Sequence, residues 1–567
     1  MDPQTNNNDN IFKKTPDPKV EQEEAVIKNK INQIIKKGVS QQDERTASLL
    51  HGEIDNDTVE NSTQNDPLNT SDSADSTAKA SEIVSKEQVP PSEDITSNPG
   101  YKPLPVWLQK FNNWHRKMMS DFVFLLWLAV IVGLVAGFAA HIFNRLITIS
   151  SHIFLSNIKA DRFNWWLLFV PVAGILLAGI YTRYVIRTDL THGVTRLMHC
   201  IYKGRFILRR NLIYSPILGG TITLGLGGSA GSEGPIAISG AAIGSNLGRW
   251  LQLKMPLVKV LVGCGAAAGI SGIFQSPVGG LLFTLEFLKM EIGTLSILAV
   301  MLSSLVAYGM VFVCNGCHVP SQFYPDDAIN PDQYGAVLLL GLLCGLYSLY
   351  YTHVINTTDT LCIKIKNPWY RNLFGGLCVG LCVMLFPALY GVGYPVMSGV
   401  IHSQFDVLTK GDVLNGLHIG AWGVMIVAAI ILIIKCWACG ICNASGGVSS
   451  DFAPTLYAGA VAGFLFAFFS NTVFHTNLPI PAFALLGMAA VMAGCIESPM
   501  MTIFIVMNMG TDLAFLLAII LAVYVSYVVV RVLSHIRGYD SKLVRHLEWF
   551  HQHETEPSTA APPPTPL

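Results

Sequence analysis

Glu233 stands inside a glycine-rich run, Gly227-Gly228-Ser229-Ala230-Gly231-Ser232-Glu233-Gly234-Pro235, that leads directly into an apolar segment. A second run, Gly446-Gly447-Val448-Ser449-Ser450-Asp451-Phe452-Ala453-Pro454, does the same later in the chain. Proline suits the first turn of a helix, where its missing N–H would have no partner anyway, and the glycines let backbone approach a ligand closely. A helix start exposes unpaired N–H groups and about half a positive charge, which favours an anion. One such end contributes about 0.3–1 kcal/mol when exposed and up to ~2 kcal/mol when partly buried. Two or more converging ends could hold a small anion in a low-dielectric site without a lysine or arginine, which would release it slowly. A carboxylate at such an end competes with a mobile anion for the same amides. Once protonated, it loses that attraction and can swing away. At membrane depth an ionisable residue is a functional hypothesis by default; the plainer alternative is a glutamate that merely complements its helix dipole.

The elements that must carry these runs are apolar. Of 567 residues, 51% are hydrophobic and only 13% charged, against about 25% charged in soluble domains. Residues 1–100 hold 19 acidic and 10 basic residues, which leaves 19 acidic and 27 basic residues for the other 467. These sums exclude an acidic soluble enzyme, a basic nucleic-acid binder and a disulfide scaffold. The polar segment 1–100 has too little apolar surface to offset chain entropy and is expected to be disordered, with a short helix possible over Glu21–Lys37. No signal peptide is expected.

Apolar stretches long enough to cross a bilayer lie near 122–148, 164–186, 294–315, 335–355, 372–391, 418–439 and 512–534. Between them come Gly-rich apolar segments near 213–228, 235–251, 257–272, 277–290, 452–470, 480–495 and 499–509, which read as too short or too broken to span simply. Non-helical backbone at membrane depth survives only when buried or lining a cavity, so broken helices point to a transporter or channel. Basic residues Lys102, Lys110, Arg116 and Lys117 precede the first span, and Arg531, Arg537, Lys542 and Arg545 follow the last. Both termini are therefore expected to be cytoplasmic. Arg183, Arg187, Arg196, Lys203, Arg205, Arg209 and Arg210 mark a second cytoplasmic region, whereas 316–334 has no Lys or Arg and reads as external.

An internal match ties the two halves together. Gly234-Pro235-x4-Gly240-Ala241-x2-Gly244 recurs 219 residues later as Ala453-Pro454-x4-Gly459-Ala460-x2-Gly463. Gly265-x-Ala267-Ala268-x3-Gly272-x3-Ser276-Pro277 recurs 222 residues later as Gly487-x-Ala489-Ala490-x3-Gly494-x3-Ser498-Pro499. Small residues also recur simply because membrane helices pack on them, but two ordered blocks at nearly equal offsets indicate duplication. With the termini inside and 316–334 outside, the copies are inverted, an architecture that places a transport site near the midplane.

The runs GSAGSEGPIAISGAAIGSNLGRW, GAAAGISGIFQSPVGGLLFTLEF and GGVSSDFAP resemble the chloride channel (ClC) family of anion channels and proton-coupled exchangers, over about residues 120–550. The resemblance implies an all-α polytopic membrane protein of two inverted-topology repeats with broken, tilted helices. The expected domains are a disordered tail over 1–100, a ClC-type transmembrane domain over 101–550 and a Pro-rich tail over 551–567. Repeat one covers about 120–315 and repeat two about 333–535. It implies a homodimer in the plasma (inner) membrane with one chloride pathway per subunit, no enzymatic activity, no cofactor beyond the transported chloride and no nucleic-acid partner. By the same resemblance Glu233 is the gating glutamate. The anion would lie against Gly193, Gly231, Ser232, Gly234, Asp451, Phe452 and Ala453, with the Phe452 amide facing it. Tyr539 matches the tyrosine whose hydroxyl donates to the central anion.

Three departures from the family pattern bear on mechanism. The family's Gly-Ser-Gly-Ile-Pro turn aligns with Thr191-His192-Gly193-Val194-Thr195, so His192 replaces the coordinating serine. A histidine could donate N–H and make the site pH-sensitive, or point away and leave coordination to the backbone. Asp451 stands where an apolar residue is usual, and reads as a helix cap turned away from the anion. In the family's exchangers a second glutamate follows the one at Glu286; here that place is Phe287, which cannot titrate. Glu291, one helical turn on, is the available substitute on a proton path of Glu233, Glu286 and Glu291. The missing second glutamate tilts the reading to a channel, with a chloride/proton antiporter as the alternative. Cys436-x2-Cys439-x2-Cys442 reads as small residues packed on one helix face, although a redox cluster would also use cysteines. Glu497 reads as a solvated helix start rather than a relay. No nucleotide-binding fingerprint occurs, and the regulatory nucleotide-binding module of many family members is not expected.

Overall fold

In a computed structural model the residues described are 120–155, 165–188, 190–191, 193–317, 329–404, 406–409, 420–509 and 515–536. The tail 1–100 with its possible helix, the segment 551–567, and candidate residues His192 and Tyr539 lie outside them. The first half runs α1 (Asp121–Leu155), α2 (Trp166–Ile180, continued by a π turn Tyr181–Ile186), α3 (Gly193–Tyr202), α4 (Ser215–Gly225), α5 (Glu233–Trp250), α6 (Met255–Phe274), α7 (Pro277–Leu282, then a π turn Phe283–Phe287) and α8 (Thr294–Cys314). The second runs α9 (Tyr334–Ile363), α10 (Pro368–Leu385), α11 (Tyr394–Ile401), α12 (Asp406–Thr409), α13 (Ala421–Ala444), α14 (Phe452–Phe474), α15 (Ile480–Ile496), α16 (Pro499–Asn508) and α17 (Leu516–Ile536). Eight of the described helices are long and apolar enough to cross a membrane.

Proline marks the starts of α4, α6, α7, α10, α11, α15 and α16, where it costs no hydrogen bond. At α7 the Ser276 hydroxyl accepts the Gly279 amide at 3.1 Å, and at α10 Asn367 caps Trp369 at 3.0 Å. These caps satisfy amides that the helix starts would otherwise leave without partners.

The two halves are copies of one unit. In the first, α5 crosses α6 so closely that a Cβ at Gly240 would run into the Gly265 carbonyl, and one at Gly244 into the Leu261 carbonyl. In the second, Gly459 meets Gly487 and Gly463 meets Phe483 in the same way, at the offsets of 219 and 222 read from the sequence. The ends repeat too: Gln275 after α6 and Glu497 after α15 both close their helices with positive φ, 52° and 57°. Helix α1 packs on α6 and α8 as α9 packs on α15 and α17, while the equivalent pairs α2–α10 and α7–α16 touch each other. An interface made of equivalent elements is what a local two-fold axis requires. The chain is thus an all-α polytopic membrane protein of two inverted repeats.

Two expectations about spans are corrected. The segments expected to be broken near 257–272 and 452–470 are continuous helices of 20 and 23 residues. Their Gly and Ala residues are crossing surfaces, not breaks. The expected span 372–391 instead ends at Leu385, because Phe386 precedes Pro387 and has left the helical region; a 3₁₀ turn, Pro387–Leu389, and the glycines Gly391 and Gly393 follow.

Candidate functional site

The two Gly-rich runs form one joint. Gly227 and Gly446 both have positive φ, 90° and 105°, which only glycine adopts without strain. Each turn then folds back alike: the Gly228 amide donates to the Thr223 carbonyl at 2.8 Å, and the Gly447 amide to Cys442 at 3.0 Å. At the centre Gly231 and Ser450, themselves 219 residues apart, exchange both backbone hydrogen bonds, at 2.7 and 3.0 Å. Two residues beyond this bridge on each strand, α5 begins at Glu233 and α14 at Phe452. The starts of two long helices are therefore held side by side on the local two-fold axis. A third start joins them, since a Cβ at Gly193, the first residue of α3, would lie 2.9 Å from Ile238 and 3.6 Å from the Gly234 carbonyl carbon. Three dipolar ends converge on one buried place, which favours an anion.

Glu233 is fully buried there. Its Oε2 accepts a hydrogen bond from the Ser450 hydroxyl at 2.9 Å, so the first repeat's carboxylate is held by the second repeat's turn. The Ala453 amide and the Tyr394 hydroxyl face the same carboxyl, and Tyr394 also faces Ser232. Among the described residues, none meets Glu233 Oε1 or the buried Ser232 hydroxyl in hydrogen-bond geometry. A Cβ at Gly231 would displace the end of the Glu233 carboxylate and come within 2.9 Å of the Ser450 hydroxyl, so glycine leaves this contact room. At Gly234 a Cβ would sit 2.9 Å from that of Ser450. Phe452 and Ala453 are buried at the start of α14.

Asp451, Glu291 and Glu497 are placed differently from the sequence expectation, and Glu286 is held at a helix start. Asp451 makes no cap to α14; its carboxylate turns to α13, where it accepts from the Asn443 side-chain amide and, at 3.7 Å, from the Cys439 thiol. Glu291 is not a helical turn beyond Phe287, because the helix stops at Leu288 and the chain bends through Lys289 at φ 50° into an exposed link. Glu286 accepts the Met500 and Met501 amides at 3.2 and 2.7 Å, serving the start of α16. Glu497 follows the end of α15 rather than opening a helix, and pairs with Arg531 at 3.4 Å. Where the second glutamate would stand, Phe287 packs edge-on against Phe452 at 5.0 Å and stacks on Phe283 at 5.3 Å, an aromatic cluster at the start of α14.

Ser450, Tyr394 and Lys435 were missed by residue-level reading. Lys435 on α13 is fully buried; its ammonium donates to the Ser229 hydroxyl at 2.8 Å and the Gly391 carbonyl at 3.4 Å, over the Tyr457 ring at 4.6 Å. It staples the first Gly-rich run to the turn that presents Tyr394. A lone lysine in an apolar helix was the available signal for it. For Ser450 the signal was the 219-residue offset from Gly231.

Inverted repeats meeting at buried helix starts, closed by one carboxylate, define a membrane transport protein of the two-fold repeat class. The chain belongs to the voltage gated chloride channel family, whose model matches residues 174–531. It is 29% identical over 392 residues to a ClcB-like protein of Ralstonia nicotianae, covering 68% of this chain and 86% of that one. It is 25% identical over 411 residues to the H(+)/Cl(-) exchange transporter ClcA of Vibrio cholerae, covering 70% and 84%. The voltage-gated ClC-type chloride channel ClcB of Escherichia coli is 25% identical over 435 residues, covering 74% and 98%. The crystal structure of a slow cyanobacterial Cl-/H+ antiporter superposes with a TM-score of 0.64 at 20% identity, covering 76% of this chain and 99% of that one, which shows a shared fold.

Proposed function

We propose that this protein carries chloride and other small anions across the membrane through the joint of α3, α5 and α14, with Glu233 as its gate. The observation that carries this reading is the buried Glu233 carboxylate, hydrogen-bonded across the repeat junction to Ser450 among helix starts suited to an anion. A charged carboxylate there occupies an anion's place; protonated, it loses its claim on the amides, and the path opens as pH falls. The anion would meet the backbone of Gly193, Gly231, Ser232, Gly234, Phe452 and Ala453, with His192 and Tyr539 as further candidates. Family membership supports the substrate, and the relatives include both named channels and a named exchanger.

Channel-like conduction is favoured over antiport by the aromatic cluster of Phe283, Phe287 and Phe452, which offers no titratable group, and by the exposed link at Glu291. The protein is read as an inner-membrane homodimer with cytoplasmic termini and one pathway per subunit. Liposomes loaded with chloride and followed by chloride and pH electrodes test the reading. Chloride efflux without stoichiometric proton movement is expected. Steady proton uptake driven by the chloride gradient would replace the channel with the antiporter, and no chloride flux under either gradient would remove both.

A further inference from the structure

We propose that Lys435 is a positioning residue for the gate: its ammonium ties the run that carries Glu233 to the turn that carries Tyr394, and so keeps the Tyr394 hydroxyl on the Glu233 carboxyl. The inference rests on the reading of Glu233 as the gate. Lys435 is wholly buried on a membrane helix, where a charge is costly and marks function by default. Among the described residues no carboxylate pairs with it. Neutral groups hold it instead: the Ser229 hydroxyl at 2.8 Å, the Gly391 carbonyl at 3.4 Å and the face of the Tyr457 ring at 4.6 Å. Hydrogen bonds from a charged donor are roughly twice as strong as neutral ones, so this ammonium makes a firm tie.

These contacts close a ring. Ser229 stands four residues before Glu233, and Gly391 three before Tyr394. Tyr394 opens α11, and its hydroxyl faces the Glu233 carboxyl. The turn before it contains Gly391 and Gly393, both at positive φ, 61° and 89°, and glycine alone gives backbone little stiffness. Tyr457 and Tyr390 hold the earlier part of that turn, by hydroxyl bonds to the Ala388 carbonyl at 3.2 Å and the Gly225 carbonyl at 2.8 Å. Lys435 holds the part beyond. Around the Glu233 carboxyl the facing groups are Tyr394 from α11 and Ser450 and Ala453 at the start of α14. Helices α3, α4 and α6 meet the first turns of α5 through Val194, Gly220 and Gly269, which do not titrate. The ammonium itself faces Cys439 and Cys442 on α13 and Tyr457 on α14. Lys435 therefore acts on the gate through position, by way of Tyr394. Without the tie, a charged carboxylate loses a donor that holds it shut, whereas a protonated carboxyl has already been released.

The test is a double-mutant cycle on chloride flux, with the full-length protein in liposomes at neutral and at acid pH. Tyr394→Phe removes only the hydroxyl, and the ratio of neutral to acid flux should rise by about tenfold or more for one lost bond to a charged group. Lys435→Met, which keeps the length and removes the ammonium, should raise the same ratio. Joined in one protein, the two should do no more than the larger of them, because both act on one contact. In a Glu233→Gln background neither should move the ratio. Ser229→Ala removes one acceptor of the ammonium and repeats the test if thermal melting in detergent shows that Lys435→Met does not fold. A wild-type ratio in the folded Lys435→Met or Ser229→Ala protein, as a purely structural lysine would give, overturns the proposal. Effects that multiply with that of Tyr394→Phe overturn it as well. Flux that keeps its pH dependence in Glu233→Gln would instead overturn the gate on which the inference rests.

Discussion

At the scale of single residues, the account depends on what a carboxylate does between helix starts. Glu233→Gln keeps the shape and removes the charge, so chloride flux in liposomes should become nearly independent of pH and exceed the wild-type rate at neutral pH. Flux that still rises as pH falls would remove Glu233 from the gate. Ser450→Ala tests the other side of the same contact. A hydrogen bond to a charged group is worth about 1.5–3 kcal/mol, so its loss should raise neutral-pH flux by about 10- to 100-fold while leaving acid flux unchanged. Glu233 was legible from the sequence because a carboxylate beside Gly and Pro in an apolar context is rare. Asp451 was half legible: its departure from pattern was visible, its direction was not. Helix-cap statistics favour a bond to the α14 amides, but the Asn443 amide on α13 offers a competing donor that no local pattern encodes.

At the scale of elements, close crossings set the positions of the helix starts. Because Gly240–Gly265 and Gly459–Gly487 are equivalent contacts between carbonyls and Cα positions, Gly240→Val and Gly459→Val should destabilise alike. Overpacking typically costs about 1–3 kcal/mol, and backbone contact places these at or above the upper end. Thermal melting in detergent reads the loss; melting points that stay at wild-type values for either variant would contradict the crossing geometry. The repeat was legible at this scale as a spacing. The continuity of α6 and α14 was not, because a glycine face reads as a break unless the opposing helix is known. The early end of α10 was written in Phe386-Pro387, but its apolar run masked the signal. Glu291 failed for a related reason: counting four residues along a helix assumes the helix continues, and it stops at Leu288.

At the scale of the whole molecule, duplication explains how a few neutral groups can hold an anion. The local two-fold axis brings Gly231 against Ser450, and so sets the starts of α5 and α14 together from opposite ends of the chain. No single repeat contains the joint. If each subunit of a homodimer has its own pathway, mixed dimers with one Glu233→Gln subunit should give flux that is the mean of the two parent dimers. Flux equal to either parent would show one shared pathway. Inversion was legible from the basic loops and the internal match together, whereas the isologous pairing at the axis emerged only from the packed helices.

The central claim is that an anion rests where these helix starts converge. Bromide-soaked crystals, examined at the bromine absorption edge, locate the ion directly. The account predicts an anomalous peak among residues 231–234 and 451–453, with a further peak in Glu233→Gln where the wild-type carboxylate lies. Ordered bromide found only away from this joint in both proteins would contradict it.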